Sequence, residues 1–110
     1  MVTPARGCVV LIPFPFSDLS QSKLRPTVCL SAVGRDDWIL CQITSNAYGD
    51  PSAIPIDKPD FAGGGLRILS FVRPGKLFTA NKRLMVKRVG QLTEDALDRV
   101  CDAVIDLLRP

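Results

Sequence analysis

Helical periodicity occurs once in this chain, near its end, and that restricts what the rest can fold into. After residue 92 the pattern changes: Thr93 suits a helix cap, and Glu94 and Asp95 suit the positive helix start. Leu97, Val100, Cys101, Val104 and Leu108 then recur on one face. Upstream the apolar residues come in short β-branched and aromatic runs cut by proline, glycine and polar loops. Residues 8–16 (CVVLIPFPF) read as a buried strand whose end escapes pairing at Pro13 and Pro15, because proline donates nothing to a ladder. Residues 17–24 read as an exposed loop, residues 26–33 as a second strand, 34–37 as a tight turn and 38–44 as a third strand. After a polar loop over 45–51, residues 53–56 carry Pro55 and suit an edge strand, and Gly63, Gly64 and Gly65 read as a loop hinge. Residues 66–72 and 84–92 complete five or six strands. The expected fold is mainly β with a C-terminal α-helix: a small, strongly curved antiparallel sheet or SH3-like barrel.

With 110 residues, 46% of them hydrophobic and 23% charged, residues 1–110 suit one domain with an ordinary core. No apolar stretch approaches the roughly 18 residues a membrane helix needs, and residues 1–7 lack a signal-peptide layout, so a cytoplasmic protein without membrane attachment is expected. Cys8, Cys29, Cys41 and Cys101 lie in separate apolar runs and read as buried reduced thiols. The formal charge of +3 conceals a split. Residues 1–92 carry 12 Lys/Arg against 6 Asp/Glu, whereas residues 93–110 carry 5 acidic side chains against 2 basic ones. A basic body of this kind suits a polyanionic partner, although scattered surface charge gives the same count.

Histidine is absent, which removes the usual acid/base switch, histidine-dependent triads and histidine metal sites. No paired-ligand spacing appears either, so neither metal nor other cofactor is expected. The carboxylates Asp18, Asp50 and Asp60 fall in loops and read as turn residues. Chemistry would have to rest on arginine, lysine, hydroxyls or an unusual carboxylate. Two loop-to-strand junctions offer such groups beside rigid sheet: residues 23–26 (KLRP), where Pro26 biases Arg25 toward extended backbone, and residues 44–46 (TSN). If the second and third strands form a hairpin, Arg25 and Thr44 come to the same end of the sheet. On spacing alone, a surface charge and a strand-ending hydroxyl are the preferred reading.

The segments GCVVLIPFPFSDLSQSKLRPTVCLS, WILCQITSN, LSFVRPGKLFT and VKRVGQL resemble, in order and spacing, the PemK/MazF-like toxins of bacterial toxin–antitoxin pairs. The resemblance runs from Gly7 to the final helix. It implies a small barrel of the CcdB/MazF type, a homodimer, endoribonuclease activity on single-stranded RNA, and a cognate antitoxin with an acidic, disordered tail. It also implies catalytic roles for Arg25 and Thr44. Some members of the family carry a carboxylate where this chain has Ser70, ahead of Arg73.

Such chemistry needs no metal, because the RNA 2′-hydroxyl is itself the nucleophile. A guanidinium fork matches phosphate oxygens and is a poor base, since it stays protonated below a pKa of about 12. Gln21, Lys23, Ser45, Asn46, Tyr48, Arg73 and Lys76 are candidate RNA contacts, Tyr48 by stacking, while Trp38 suits the core. Two other functions stay open at this stage: a toxin of the same fold that inhibits DNA gyrase by binding it, and a nucleic-acid-binding module without catalysis.

Overall fold

The computed structural model describes residues 1–15 and 22–110. Seven strands form one antiparallel sheet: β1 (Cys8–Pro15), β2 (Ser22–Gly34), β3 (Asp37–Thr44), β4 (Ile54–Ile56), β5 (Phe61–Gly64), β6 (Ser70–Asn81) and β7 (Lys87–Leu92). Their spatial order is β4-β6-β3-β2-β1-β7-β5, and α1 (Glu94–Leu108) follows the last strand. The sheet curls into a half-barrel with one C-terminal helix, the class expected from the sequence. Among the described residues, no helix is long and apolar enough to cross a membrane.

Both faces of the sheet are covered, which explains why β1 is apolar without alternation. On one face Val9, Val28, Leu30, Cys41, Ile43, Ile56 and Val72 pack with Leu92, Ala96, Leu97 and Val100, sealing the sheet with α1. On the other, Cys8, Val10, Ile12, Cys29, Leu40, Ala80 and Met85 form a second cluster edged by Phe14, Trp38 and Phe78. Thr93 caps α1 as expected, its side chain accepting from Ala96 N at 3.1 Å. The helical stripe is shorter than expected, however: Leu108 is exposed, at an open groove that it lines with Leu30, Ile39 and Leu77 of the sheet.

Several expectations change. The expected loop over 17–24 is partly strand, since β2 begins at Ser22 and its pairing with β1 sets Lys23 opposite Phe14 and Arg25 opposite Ile12. Residues 66–69 are irregular and the strand there starts at Ser70. That strand continues to Asn81, through a stretch to which the sequence reading assigned no element and which contains Pro74 and Gly75. These two residues lie in a bulge: β3–β6 pairing passes from Ile43↔Val72 to Cys41↔Leu77, so four residues of β6 bow out of the ladder. The glycines at 63–65 are not a hinge. Gly63 and Gly64 lie in β5 at the sheet edge opposite β4, and Gly64 has φ 64 with the Val89 carbonyl 2.2 Å from where a Cβ would stand. Only a glycine lets β5 nest this closely on β7. Pro55 does lie on an edge strand, β4.

Candidate functional site

Four consecutive strands meet at one end of the sheet around a hollow of about 220 Å³. Phe14 comes from β1, Arg25 from β2, Gln42, Ile43 and Thr44 from β3, and Arg73 from β6; Tyr48 leans in from the loop after β3. The β2–β3 hairpin builds the centre. Its register pairs Cys29 with Leu40, Val28 with Cys41 and Thr27 with Gln42. Carried on by two residues, the same register sets Arg25 across from Thr44, where facing Cβ atoms lie about 5 Å apart. The hairpin is closed at its far end by the expected turn, in which Gly34, Arg35 and Asp36 all take positive φ.

Arg73 reaches the hollow because of the β6 bulge. The buried Cys41 thiol donates to the Arg73 carbonyl at 3.0 Å, which pins the bowed backbone. Burial pushes the Cys41 thiol up to about 12, so it remains a neutral donor at ordinary pH. The Arg73 guanidinium donates through Nε to Asp50 Oδ2 at 3.1 Å and lies 6.0 Å from the Tyr48 ring centre. Asp50 in turn accepts from Ser52 N at 2.9 Å. The backbone donor of Ser52 and then the Arg73 guanidinium hold the Asp50 carboxyl below its ordinary range, which makes it a weak proton acceptor.

The loop after Thr44 is organised by side-chain acceptors. Asn46 N donates to Thr44 Oγ1 at 3.2 Å, and Tyr48 N donates to Asn46 Oδ1 at 2.9 Å. Tyr48 holds φ 53, a strained angle for a residue with a Cβ, and it is 72% exposed at the mouth of the hollow. Because Thr44 Oγ1 already accepts, its hydroxyl hydrogen is left to donate. The lining thus holds two guanidiniums, the Thr44 hydroxyl, a carboxamide and two aromatic rings, one of them the Tyr48 phenol, with no carboxylate among the lining residues. Its chemistry suits an anion carrying a flat apolar group.

The structure brings together Arg25, Thr44, Tyr48 and Arg73 from the sequence-derived candidates. Asn46 shapes the rim through its hydrogen bonds, and Ser45 is exposed beside it. Lys23 and Lys76 are exposed and do not line the hollow; Lys76 acts on it only through its charge, which favours ionised Asp50. Gln21 and Asp18 lie outside the described residues. Ser70 is buried, donates to the Ile68 carbonyl at 3.0 Å and takes no part in the lining. Sequence reasoning missed Phe14 and Gln42, and it missed that Asp50, besides making its turn, pairs with Arg73. The available signal for Gln42 was strand alternation, which places it on the same face as Thr44 two residues on. Among the described residues, no group of three or more His, Cys, Asp or Glu is placed to hold a metal ion.

Fold and site together define a class: a small antiparallel half-barrel closed by a C-terminal helix, with a cationic, hydroxyl-bearing hollow at one end of the sheet. The family profile of the PemK-like, MazF-like toxins of type II toxin–antitoxin systems matches residues 5–108, and this chain belongs to that family. Sequence comparison with curated proteins finds no match. Among solved structures it is similar to MazF in a MazE–MazF crystal structure from Deinococcus radiodurans, with 21% identity over 98% of this chain and 97% of that one and a TM-score of 0.78. It is also similar to an endoribonuclease in complex with its cognate antitoxin from a mycobacterial species, with 16% identity over 98% and 95% of the two chains and a TM-score of 0.74. An endoribonuclease from a mycobacterial species gives 18% identity over 98% and 93% and a TM-score of 0.72. At these identities the likeness establishes the fold.

Proposed function

We propose that this chain, acting as a single domain, is an endoribonuclease toxin that cuts single-stranded RNA without a metal, and that Arg25 and Thr44 are its catalytic residues. The observation that carries the reading is the convergence of Arg25, Thr44 and Arg73 on one hollow. In the reaction the RNA 2′-oxygen forms a bond to the adjacent phosphorus while the bond from phosphorus to the 5′-oxygen breaks. The products are a 2′,3′-cyclic phosphate and a 5′-hydroxyl. Arg25 balances the charge that builds on the phosphoryl oxygens, commonly the largest catalytic contribution, and donates the proton that the departing 5′-oxygen takes. It regains that proton from water, and the proton released by the 2′-oxygen passes to solvent. Thr44 donates its hydroxyl to a phosphoryl oxygen, Arg73 holds a neighbouring phosphate and Tyr48 stacks on a base.

Family membership supports a cytoplasmic setting, a homodimer and a cognate antitoxin, and two of the similar structures are complexes with an antitoxin. An acidic, disordered antitoxin tail would find its complement in the basic body of the chain, ordering as it binds. The test is cleavage of single-stranded RNA by the purified protein in excess chelator, with end-group analysis of the products. Cutting that gives cyclic phosphate ends is the expected result. Activity that disappears in chelator and returns with magnesium would overturn the metal-free chemistry.

A further inference from the structure

The β2–β3 ladder changes character as it approaches the hollow, and its middle step is the one that packing alone does not explain. Cys29 and Leu40 form a buried apolar pair, and two pairs beyond them the strands present Arg25 and Thr44. Between stand Thr27 and Gln42, opposite one another and on the same face as the residues on either side. Thr27 is wholly buried, yet its hydroxyl has no hydrogen-bond partner among the described residues. Gln42 is half-buried and lines the hollow, and among the described residues its carboxamide is engaged by none. An apolar pair would serve the strands better at this step, because a buried hydroxyl without a partner weakens a fold. Two polar groups are therefore held in reserve at the floor of the hollow, directly beside Arg25 and Thr44.

We propose that Gln42 is the base-reading residue of this site, hydrogen-bonding the edge of the nucleobase next to the phosphate that Arg25 and Thr44 hold. The inference rests on the ribonuclease reading above and adds what that reading lacks, a source of sequence choice. Arginines and hydroxyls that hold phosphates carry no sequence information, whereas a carboxamide presents a donor and an acceptor side by side and matches one base edge at a time. Tyr48, exposed at the mouth, supplies the flat surface that keeps the base in the plane of the amide. Thr27 lies opposite Gln42 on the neighbouring strand and makes no hydrogen bond to it, which leaves the carboxamide available to the base.

Cleavage-site mapping on a random single-stranded RNA pool, in chelator, tests this with the wild type, Gln42→Leu and Gln42→Glu. Gln42→Glu keeps the size of a half-exposed side chain and guards against loss of the fold in the leucine variant. The wild type should favour one base at a position flanking the cut. Gln42→Leu should lose that preference by roughly 10-fold or more while preferences at other positions persist, as expected for one base-edge contact. Gln42→Glu, which only accepts, should move the preference toward bases with an amino edge, guanine, cytosine or adenine, and away from uracil. Site profiles identical to wild type in both variants, at whatever rate, would overturn the proposal and leave the ribonuclease reading standing. A wild type that cuts no RNA would instead overturn that reading, and this one with it.

Discussion

Arg73 is tied to Asp50: its Nε donates to Asp50 Oδ2 at 3.1 Å, and the same carboxylate accepts from Ser52 N, so the loop after β3 is fastened to the β6 bulge through a single side chain. Asp50→Asn should therefore loosen Tyr48 and Arg73 together and lower RNA cleavage by about 10-fold, with most of the loss in KM, since the group acts by holding other residues in place. Steady-state kinetics on a short RNA would show it. A change confined to kcat would mean that Asp50 acts on the chemistry directly.

The same pair makes loop stability depend on pH. The Asp50 carboxyl is held below its ordinary value of 3.8 in the folded chain, so its contribution is fully present above 3.8 and is lost as pH falls through the lower folded value. Thermal melts of wild type and Asp50→Asn should differ at neutral pH and converge in strong acid. Curves that stay parallel down to the lowest pH would show that the ion pair does not form in solution.

Arg25→Ala and Thr44→Ala should each reduce cleavage by about 100-fold or more, the usual loss on removing a transition-state donor. Both side chains are only partly buried and lie outside the two apolar clusters, so melting temperatures should change little. Arg25→Lys should recover part of the activity, since it keeps the charge and loses the fork. Full cleavage by the well-folded alanine variants would move the chemistry to Arg73.

Thr27→Val should fold as well as wild type or better, because it removes a buried hydroxyl that has no hydrogen-bond partner among the described residues and whose desolvation costs about 1 to 3 kcal/mol. Denaturant unfolding measures this. A loss of more than about 1 kcal/mol would mean that the hydroxyl has a partner in solution.

Gly64→Ala should destabilise by at least about 2 kcal/mol, since its Cβ would meet the Val89 carbonyl at a φ that side chains avoid. Gly49→Ala has a similar φ of 72 but open space around the added carbon, and should cost only about 1 kcal/mol. Equal losses at the two positions would show that strain, not close packing against β7, sets the cost.

Local rules made much of this fold legible. The edge position of Pro55, the change of period at Thr93 and the turn over residues 34–37 each depend on neighbours in sequence, whereas Pro13 and Pro15, expected to escape pairing, lie opposite Leu24 and Ser22 of β2. The β6 bulge does not: Pro74 and Gly75 break a strand by local preference, and it is pairing with β3 on either side that carries the strand through. Gly63 and Gly64 looked like a hinge for a related reason, because their purpose is a close approach to β7, distant in sequence. In the site, hairpin logic could bring Arg25 and Thr44 to one end of the sheet, but it took the family resemblance to single them out. Gln42 required the register as well, and Asp50 required knowledge of which cation the bulge would aim at it.

The hollow is floored by β1, β2, β3 and β6, strands whose side chains also build both cores, and that ties its behaviour to the behaviour of the whole sheet. Regions that open on their own are poor in buried contacts, and these are rich in them, so backbone amides around Arg25 and Thr44 should exchange with solvent almost as slowly as the most protected core. By that argument, pulling those groups apart would mean opening the sheet itself. Silence would have to be imposed by an occupant seated over the hollow, and the interval before activity returns would be the lifetime of that occupant on the surface, a dissociation rate and not a rearrangement of this chain.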